Sequence, residues 1–180
     1  MKTKVQFLDL GKQPITNNFL IKKNPKNEFF YSLKLIFHKG SKLVSLAKFV
    51  PPKKMFNERY AHRASASKTM SLAYSKLAKS IKKRFKPKSI LEIGSNDGVF
   101  IKHFKKIKNL GVEPCKNLAS ITKQAGLKTY DEFWTQKIAK KIVNQNGKVD
   151  VIYSANTISH IHNLNETFKA IDYTLHENGV

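Results

Sequence analysis

Apolar positions along this chain change their spacing near residue 67, and two kinds of architecture follow from the change. Before it they come in short extended runs. Phe7-Leu8-Asp9-Leu10-Gly11 leads into Gln13-Pro14-Ile15-Thr16-Asn17-Asn18-Phe19-Leu20, so residues 5–50 read as turns and short strands. Residues 29–37 form a strand-like run, a turn follows at His38-Lys39-Gly40-Ser41, residues 43–50 supply a hairpin partner, and Pro51-Pro52 punctuates. From Ser67 onward Met70, Ala73, Leu77, Ile81 and Phe85 recur at three- and four-residue steps, which predicts a helix stopped by Pro87. Short apolar runs then alternate with helical patterns. Strands are predicted from 89 or 90 to 93, over 110–113, 127–130 and 149–154, with helices over 98–108, 117–124, 133–144 and about 165–175. Such alternation implies an α/β fold built on a parallel, doubly wound sheet.

The chemistry concentrates where the first of these strands ends. Ser89-Ile90-Leu91-Glu92-Ile93-Gly94-Ser95-Asn96-Asp97-Gly98 is an apolar run breaking into a glycine-bracketed turn. Nineteen residues past Gly94, Leu110-Gly111-Val112-Glu113-Pro114 is a second apolar stretch closing on an acid. Strand, glycine turn, helix, strand and acid is the Rossmann-like grip on an adenosine-containing cofactor. Gly94 and Gly98 leave no Cβ where the chain must turn sharply beside a ligand. Free N–H groups at the start of the following helix would hold a carboxylate, and Glu113 can accept hydrogen bonds from two ribose hydroxyls. The third glycine of a dinucleotide fingerprint is missing, and Ser95 and Asn96 follow the first. The turn therefore points to S-adenosylmethionine (SAM), with Glu92 opposite its cationic aminium and sulfonium groups. Glu92, Gly94, Ser95, Asn96, Gly98, Glu113 and Pro114 are the candidate cofactor contacts here.

Composition narrows the setting. Hydrophobic content of 41% suffices for a core, and no apolar run approaches membrane-spanning length. Met1-Lys2-Thr3-Lys4 lacks the apolar stretch of a secretory signal, and one cysteine, Cys115, excludes an intrachain disulfide, so a cytoplasmic location is expected. The formal net charge is +22, unevenly spread: residues 1–89 hold 22 Lys/Arg against 3 acids. A basic half favours anionic partners, nucleic acid or nucleotide phosphates. The lysines are nevertheless dispersed along the chain and read as solvated faces, and the dense run at 82–88 complements a helix dipole.

Other residues complete the list of candidates. Asp150-Val151-Ile152-Tyr153-Ser154-Ala155-Asn156-Thr157-Ile158-Ser159-His160-Ile161 is a strand emptying into a polar loop, where Asn156 can bond cofactor or substrate and His160 can move a proton. Its alternative is a helix-start histidine with a packing role. Tyr60-Ala61-His62-Arg63-Ala64-Ser65-Ala66-Ser67 can close over a ligand, or cap the next helix through Ser65 or Ser67. After the third strand, Asp131 can bond an adenine amino group and Phe133 can cover its ring; a helix cap and core aromatics are the plain alternative. Cys115 reads as packing. His38 and His62 have no partners at metal-ligand spacing.

These segments together resemble the SAM-dependent C-methyltransferases that act on nucleotide-linked deoxysugars. The likeness runs through Leu10-Gly11-Lys12-Gln13-Pro14 and Asn18-Phe19-Leu20, Met55-Phe56 with Tyr60 and residues 63–67, then 91–98, 111–114 and 150–161. It implies a class I methyltransferase sheet, its first four strands present, behind a small β-rich module and a helix. Domains are then expected at 1–66 (substrate) and 67–180 (SAM). It implies removal of a proton beside a sugar keto group and transfer of a methyl group to the resulting enolate, with Tyr60 and His160 near the substrate. Two departures follow. The family's N-terminal zinc module carries paired cysteines, and the second pair's positions here read His38 and Ser41, so zinc is not expected. The family's later Tyr-Asp-Glu-His motif is absent, and the chain reads as the front part of a longer protein. Alternatives are a class I methyltransferase for another small molecule or RNA, and a non-catalytic basic nucleic-acid-binding protein.

Overall fold

The computed structural model describes residues 3–20 and 28–180. The chain divides into two compact units, residues 1–56 and 57–180. In the first, β1 (Lys4–Pro14), β2 (Phe30–His38) and β3 (Val44–Leu46) form an antiparallel meander in that order. The first part of the stretch read as turns and short strands is thus one eleven-residue strand, Lys4–Pro14. Pairing to β2 runs from Lys4↔His38 to Pro14↔Phe30, and register shifts around residues 6–8 and 9–12 absorb the Asp9-Leu10-Gly11 turn signal as bulges. Gly11 takes φ 70°, and Asp9 accepts its N–H at 3.0 Å while pairing with Lys34 across the strands at 2.8 Å. Of the predicted partner at 43–50, only β3 pairs. A four-residue helix, α1 (Pro52–Met55), follows. Among the described residues only Ile15 and Val50 of this unit's apolar side chains are buried.

The second unit opens with α2 (Lys68–Phe85), capped by Ser67, whose Oγ accepts the Met70 N–H at 3.2 Å. It stops at Lys86 in the left-handed region, ahead of Pro87. Four parallel strands follow, β4 (Ser89–Ile93), β5 (Lys108–Val112), β6 (Thr129–Tyr130) and β7 (Val151–Ser154), with α3 (Lys116–Gln124), α4 (Gln136–Asn146) and α5 (Leu164–Thr174) between and after them. The sheet order is β6-β5-β4-β7. The chain winds outward one way from β4 and then crosses to its other side, so the reversal point lies at the carboxyl ends of β4 and β7.

Pleating sorts the core. Leu91 and Ile93 pack with Leu110, Val112, Trp134, Ile138 and Ile142 beneath α4 and α5. Ile90 packs on the opposite face with Tyr74, Ala78 and Ile81 of α2 and with Phe100 and Phe104. Glu92, two residues on from Ile90, shares that second face. Phe100 and Phe104 are fully buried, and truncating either to Ala costs about 3–5 kcal/mol.

Two expectations need correction. The predicted helix over 98–108 is only a 3-10 turn at Ile101–Phe104, and β5 already begins at Lys108. Val99, Phe100, Ile101 and Phe104 are all buried, which a helix presenting one face to the core would not achieve. The stripe on α2 is also rotated: Tyr74, Ala78 and Ile81 are buried, whereas Ala73 and Phe85 are exposed. The Tyr74 ring sets that rotation, meeting Phe100 at 5.8 Å and Tyr153 at 6.5 Å.

Candidate functional site

The carboxyl ends of β4 and β5 are stitched together by backbone and acid. Gly94 and Ser95 both donate to the Val112 carbonyl, at 2.8 and 3.1 Å. Gly94 takes φ 75°, Asn96 49° and Gly98 79°, so the bend needs residues that tolerate the left-handed region. A Cβ on Gly94 would lie 2.2 Å from Thr157 Oγ1, because the loop after β7 comes down onto the bend. Glu113 reaches the same place. Its Oε2 accepts the Asn96 N–H and its Oε1 the Cys115 N–H, each at 2.8 Å.

A strap of chain crosses this rim. The Asn96 Oδ1 accepts the Ala64 N–H at 2.9 Å, and its Nδ2 donates to the His62 carbonyl at 3.2 Å. Ser65 donates to Asp97 through its N–H at 3.3 Å and its Oγ at 2.5 Å. Asn117, in the first turn of α3, donates to the Tyr60 carbonyl at 2.9 Å. Residues 60–65 therefore belong with the second unit, held to the glycine bend by side chains of the bend itself. Of the two serines read as possible caps, Ser67 caps α2 and Ser65 holds Asp97.

Acids dominate the electrostatics here. Glu92 is 4% exposed and Glu113 5%, and neither is in an ion pair among the described residues. Burial holds the Glu92 carboxyl well above its ordinary value, the charges of Glu113 and Asp97 push the same way, and only the Ile101 N–H opposes them. Burial also raises Glu113, against the Cys115 and Asn96 hydrogen bonds. Glu92 Oε2 and Ser95 Oγ are buried with no hydrogen-bond partner among the described residues. A buried carboxylate oxygen without a partner is costly. The donor set thus fits a ligand that brings cationic and hydroxyl groups, as SAM does.

The remaining candidates are spread around the rim. Pro114 and Phe133 are half-buried. Asp131 is exposed and pairs with Lys123 of α3 at 2.9 Å, which holds its pKa below the ordinary carboxylate value. Asn156 is exposed at φ 52°, and His160 is exposed on the 3-10 turn Ile158–His160. Tyr60 is half-buried, its ring edge-on to His62 at 6.4 Å. Cys115 is buried, and burial pushes its thiol far up, in keeping with packing. The helix N-terminus expected after Gly98 is not there, since a four-residue 3-10 turn takes its place. Sequence reasoning missed Thr157, Asp97 and Asn117. Their polar neighbours were the only signal, because each acts on a residue at least 32 positions away.

A family profile described as a methyltransferase domain matches residues 60–180. The C-methyltransferase NovU of Streptomyces niveus is 25% identical over 93 residues, a stretch covering 51% of this chain and 22% of that protein. This chain therefore matches only about a fifth of that relative's length. Solved structures with a similar fold include a SAM-dependent methyltransferase from Archaeoglobus fulgidus, 16% identical with a TM-score of 0.48 over 58% of this chain and 47% of that one. DesVI of Streptomyces venezuelae is 14% identical with a TM-score of 0.44 over 61% and 48%.

A second profile, described as a putative zinc binding domain, matches residues 1–56. That stretch holds no cysteine, and its side chains of ligand type are Asp9, Glu28 and His38. Asp9 pairs with Lys34, and His38 Nε2 lies 2.8 Å from Ser45 Oγ. Among the described residues no group of three could hold a metal ion, so the side chains present do not fit zinc. The glycine bend, the acid on the next strand and the profile over residues 60–180 agree: this chain belongs to the methyltransferase domain family.

Proposed function

We propose that the rim formed by β4, β5 and the loop after β7 binds SAM and serves methyl transfer to carbon on a nucleotide-linked keto sugar. One observation carries the cofactor site: Glu113 is bonded to the Asn96 N–H, so the acid and the glycine bend share one place. Glu113 retains lone pairs for a ribose diol, and Glu92, with its unpartnered oxygen, faces positive charge. Gly94 and Gly98 let a ligand approach the backbone, with Ser95, Asn96 and Pro114 beside it. Asp131 and Phe133 serve the adenine, the first on release from Lys123, and Asn156 closes the far side. SAM supplies an electrophilic methyl group when bound. The chain's own task is to remove a proton from the carbon beside the keto group, for which His160 is the base and Tyr60 a hydroxyl positioned on the strap. The likeness to NovU supports the carbon acceptor. In this reading residues 1–66 serve the substrate, residues 67–180 the cofactor, and the reaction is cytoplasmic.

Calorimetric titration with SAM and with S-adenosylhomocysteine tests the site. Micromolar binding is expected, and Glu113→Ala should weaken it by about 1–3 kcal/mol, the cost of leaving buried partners unpaired. An unchanged affinity in that variant removes Glu113 from the site.

A further inference from the structure

A lysine stands at or within three residues of the start of each strand of the parallel sheet: Lys88, Lys108, Lys128 and Lys148. Parallel strands all begin on one rim, so these four exposed cations share it. The carboxyl end of α2 arrives at the same rim, because Phe85 is followed within four residues by β4, and it brings the exposed run Lys82-Lys83-Arg84-Phe85-Lys86. Lys105 and Lys106 return to it just ahead of β5.

Their hydrogen bonds leave the charge in place. Lys108 donates to the carbonyls of Asn146 at 2.8 Å and Lys148 at 3.1 Å, Lys128 to the side-chain oxygen of Asn146 at 2.6 Å, and Lys82 to the His103 carbonyl. All these acceptors are neutral. The carboxylates near this rim are Asp150, which accepts the Lys88 and Ser89 N–H groups, Asp172 in the last turn of α5, and Glu177. The five acids Glu92, Asp97, Glu113, Asp131 and Glu132 lie at the opposite rim. A five-residue strand sets the two rims about 15 Å apart. Cations here do not reach phosphates of a substrate lying in the cofactor crevice.

The arrangement selects among polyanions. The apolar face of α2, with Tyr74, Ala78 and Ile81, is already spent on the core, and the exposed Leu72 and Phe85 stand at opposite ends of the helix and make no continuous apolar face to enter a lipid surface. Phe85 is 40% exposed, with the Arg84 guanidinium 5.1 Å from its ring centre. A solvent-facing aromatic under an arginine, surrounded by lysines, is a stacking platform for a base. We propose that the amino rim of the sheet binds single-stranded nucleic acid, through its phosphates and one base stacked at Phe85.

Fluorescence anisotropy with a labelled 20-nucleotide oligouridylate RNA and the full chain tests this. With about six phosphates engaged, affinity should fall ~10²-fold or more between 50 and 200 mM salt. The triple variant Lys83→Glu, Lys86→Glu, Lys106→Glu should lose at least about 10-fold and show a shallower salt slope. Phe85→Ala should lose about 5-fold or more with the slope retained, while Lys137→Glu with Lys140→Glu on α4 should bind like the parent. SAM affinity should be unchanged in all of them, which separates this proposal from the cofactor reading. Parent-like RNA binding by the triple variant, or binding insensitive to salt, overturns the proposal. So does binding to phosphatidylglycerol vesicles without binding to RNA.

Discussion

The two ends of the parallel sheet treat charge in opposite ways. At the carboxyl end, Glu92 and Glu113 are buried, bonded to backbone N–H groups and not ion-paired among the described residues. At the amino end, lysines stand exposed against neutral carbonyls. An exposed cation costs little, because water and salt screen it. A buried carboxylate is expensive and persists only where something repays its desolvation. The contrast separates buried acids around a bend from an open field of charge: under the two proposals above, one end serves a specific ligand and the other a long anion.

The largest effect expected from disturbing this contrast is at the bend. Gly94→Ala forces a residue at φ 75° and a Cβ 2.2 Å from Thr157 Oγ1, and should cost about 3 kcal/mol or more in urea unfolding. An unfolding curve like the parent's would show that the loop after β7 yields freely and that the carboxyl end is not a built site. Next comes pH. Glu92 is raised above its ordinary value of 4.5 by burial first, so the folded chain keeps a proton that the unfolded chain releases. The Glu92 contribution to stability is therefore greatest below that value and falls as pH climbs from it toward the raised one; Glu113 adds the same sign. Glu92→Gln should flatten this fall in a series of melting temperatures from pH 4.5 upward, and a slope identical to the parent's would place the charge elsewhere. The smallest effect belongs to the amino end. Lys106→Glu should change stability by no more than about 0.5 kcal/mol, toward greater stability, and the gain should shrink as salt rises. A loss of more than about 1 kcal/mol would mean that this rim, too, is structurally committed.

Much of the second unit was legible from spacing. The four strands, the helices α2 to α5, the bend and Glu113 all follow from local patterns. The exceptions share a cause. The segment after Gly98 looked helical because apolar residues recur in it, but the fourteen residues between β4 and β5 had to form the bend and still bury Val99, Phe100, Ile101 and Phe104 together. On α2 the stripe was misread because Tyr74, an aromatic with a polar tip, is core here and Ala73 is not. The eleven residues of β1 looked interrupted because bulges absorb a turn signal only when a partner strand holds the register. At the site, Thr157 over Gly94 and Asn117 holding Tyr60 were invisible, since neither contact is local.

What the residues alone decided is whatever depends on near neighbours: where the backbone must tolerate a left-handed turn, where an apolar run ends, how much positive charge the chain carries. What only the folded chain decided is which of these meet. Lysines twenty positions apart look dispersed in a list, yet Lys88, Lys108, Lys128 and Lys148 share a rim because strands of a parallel sheet all start on the same side. The same geometry gathers Glu92, Glu113 and the glycine bend on the other side, where neighbouring strands end and the acids bond to the N–H groups of the bend and its flank.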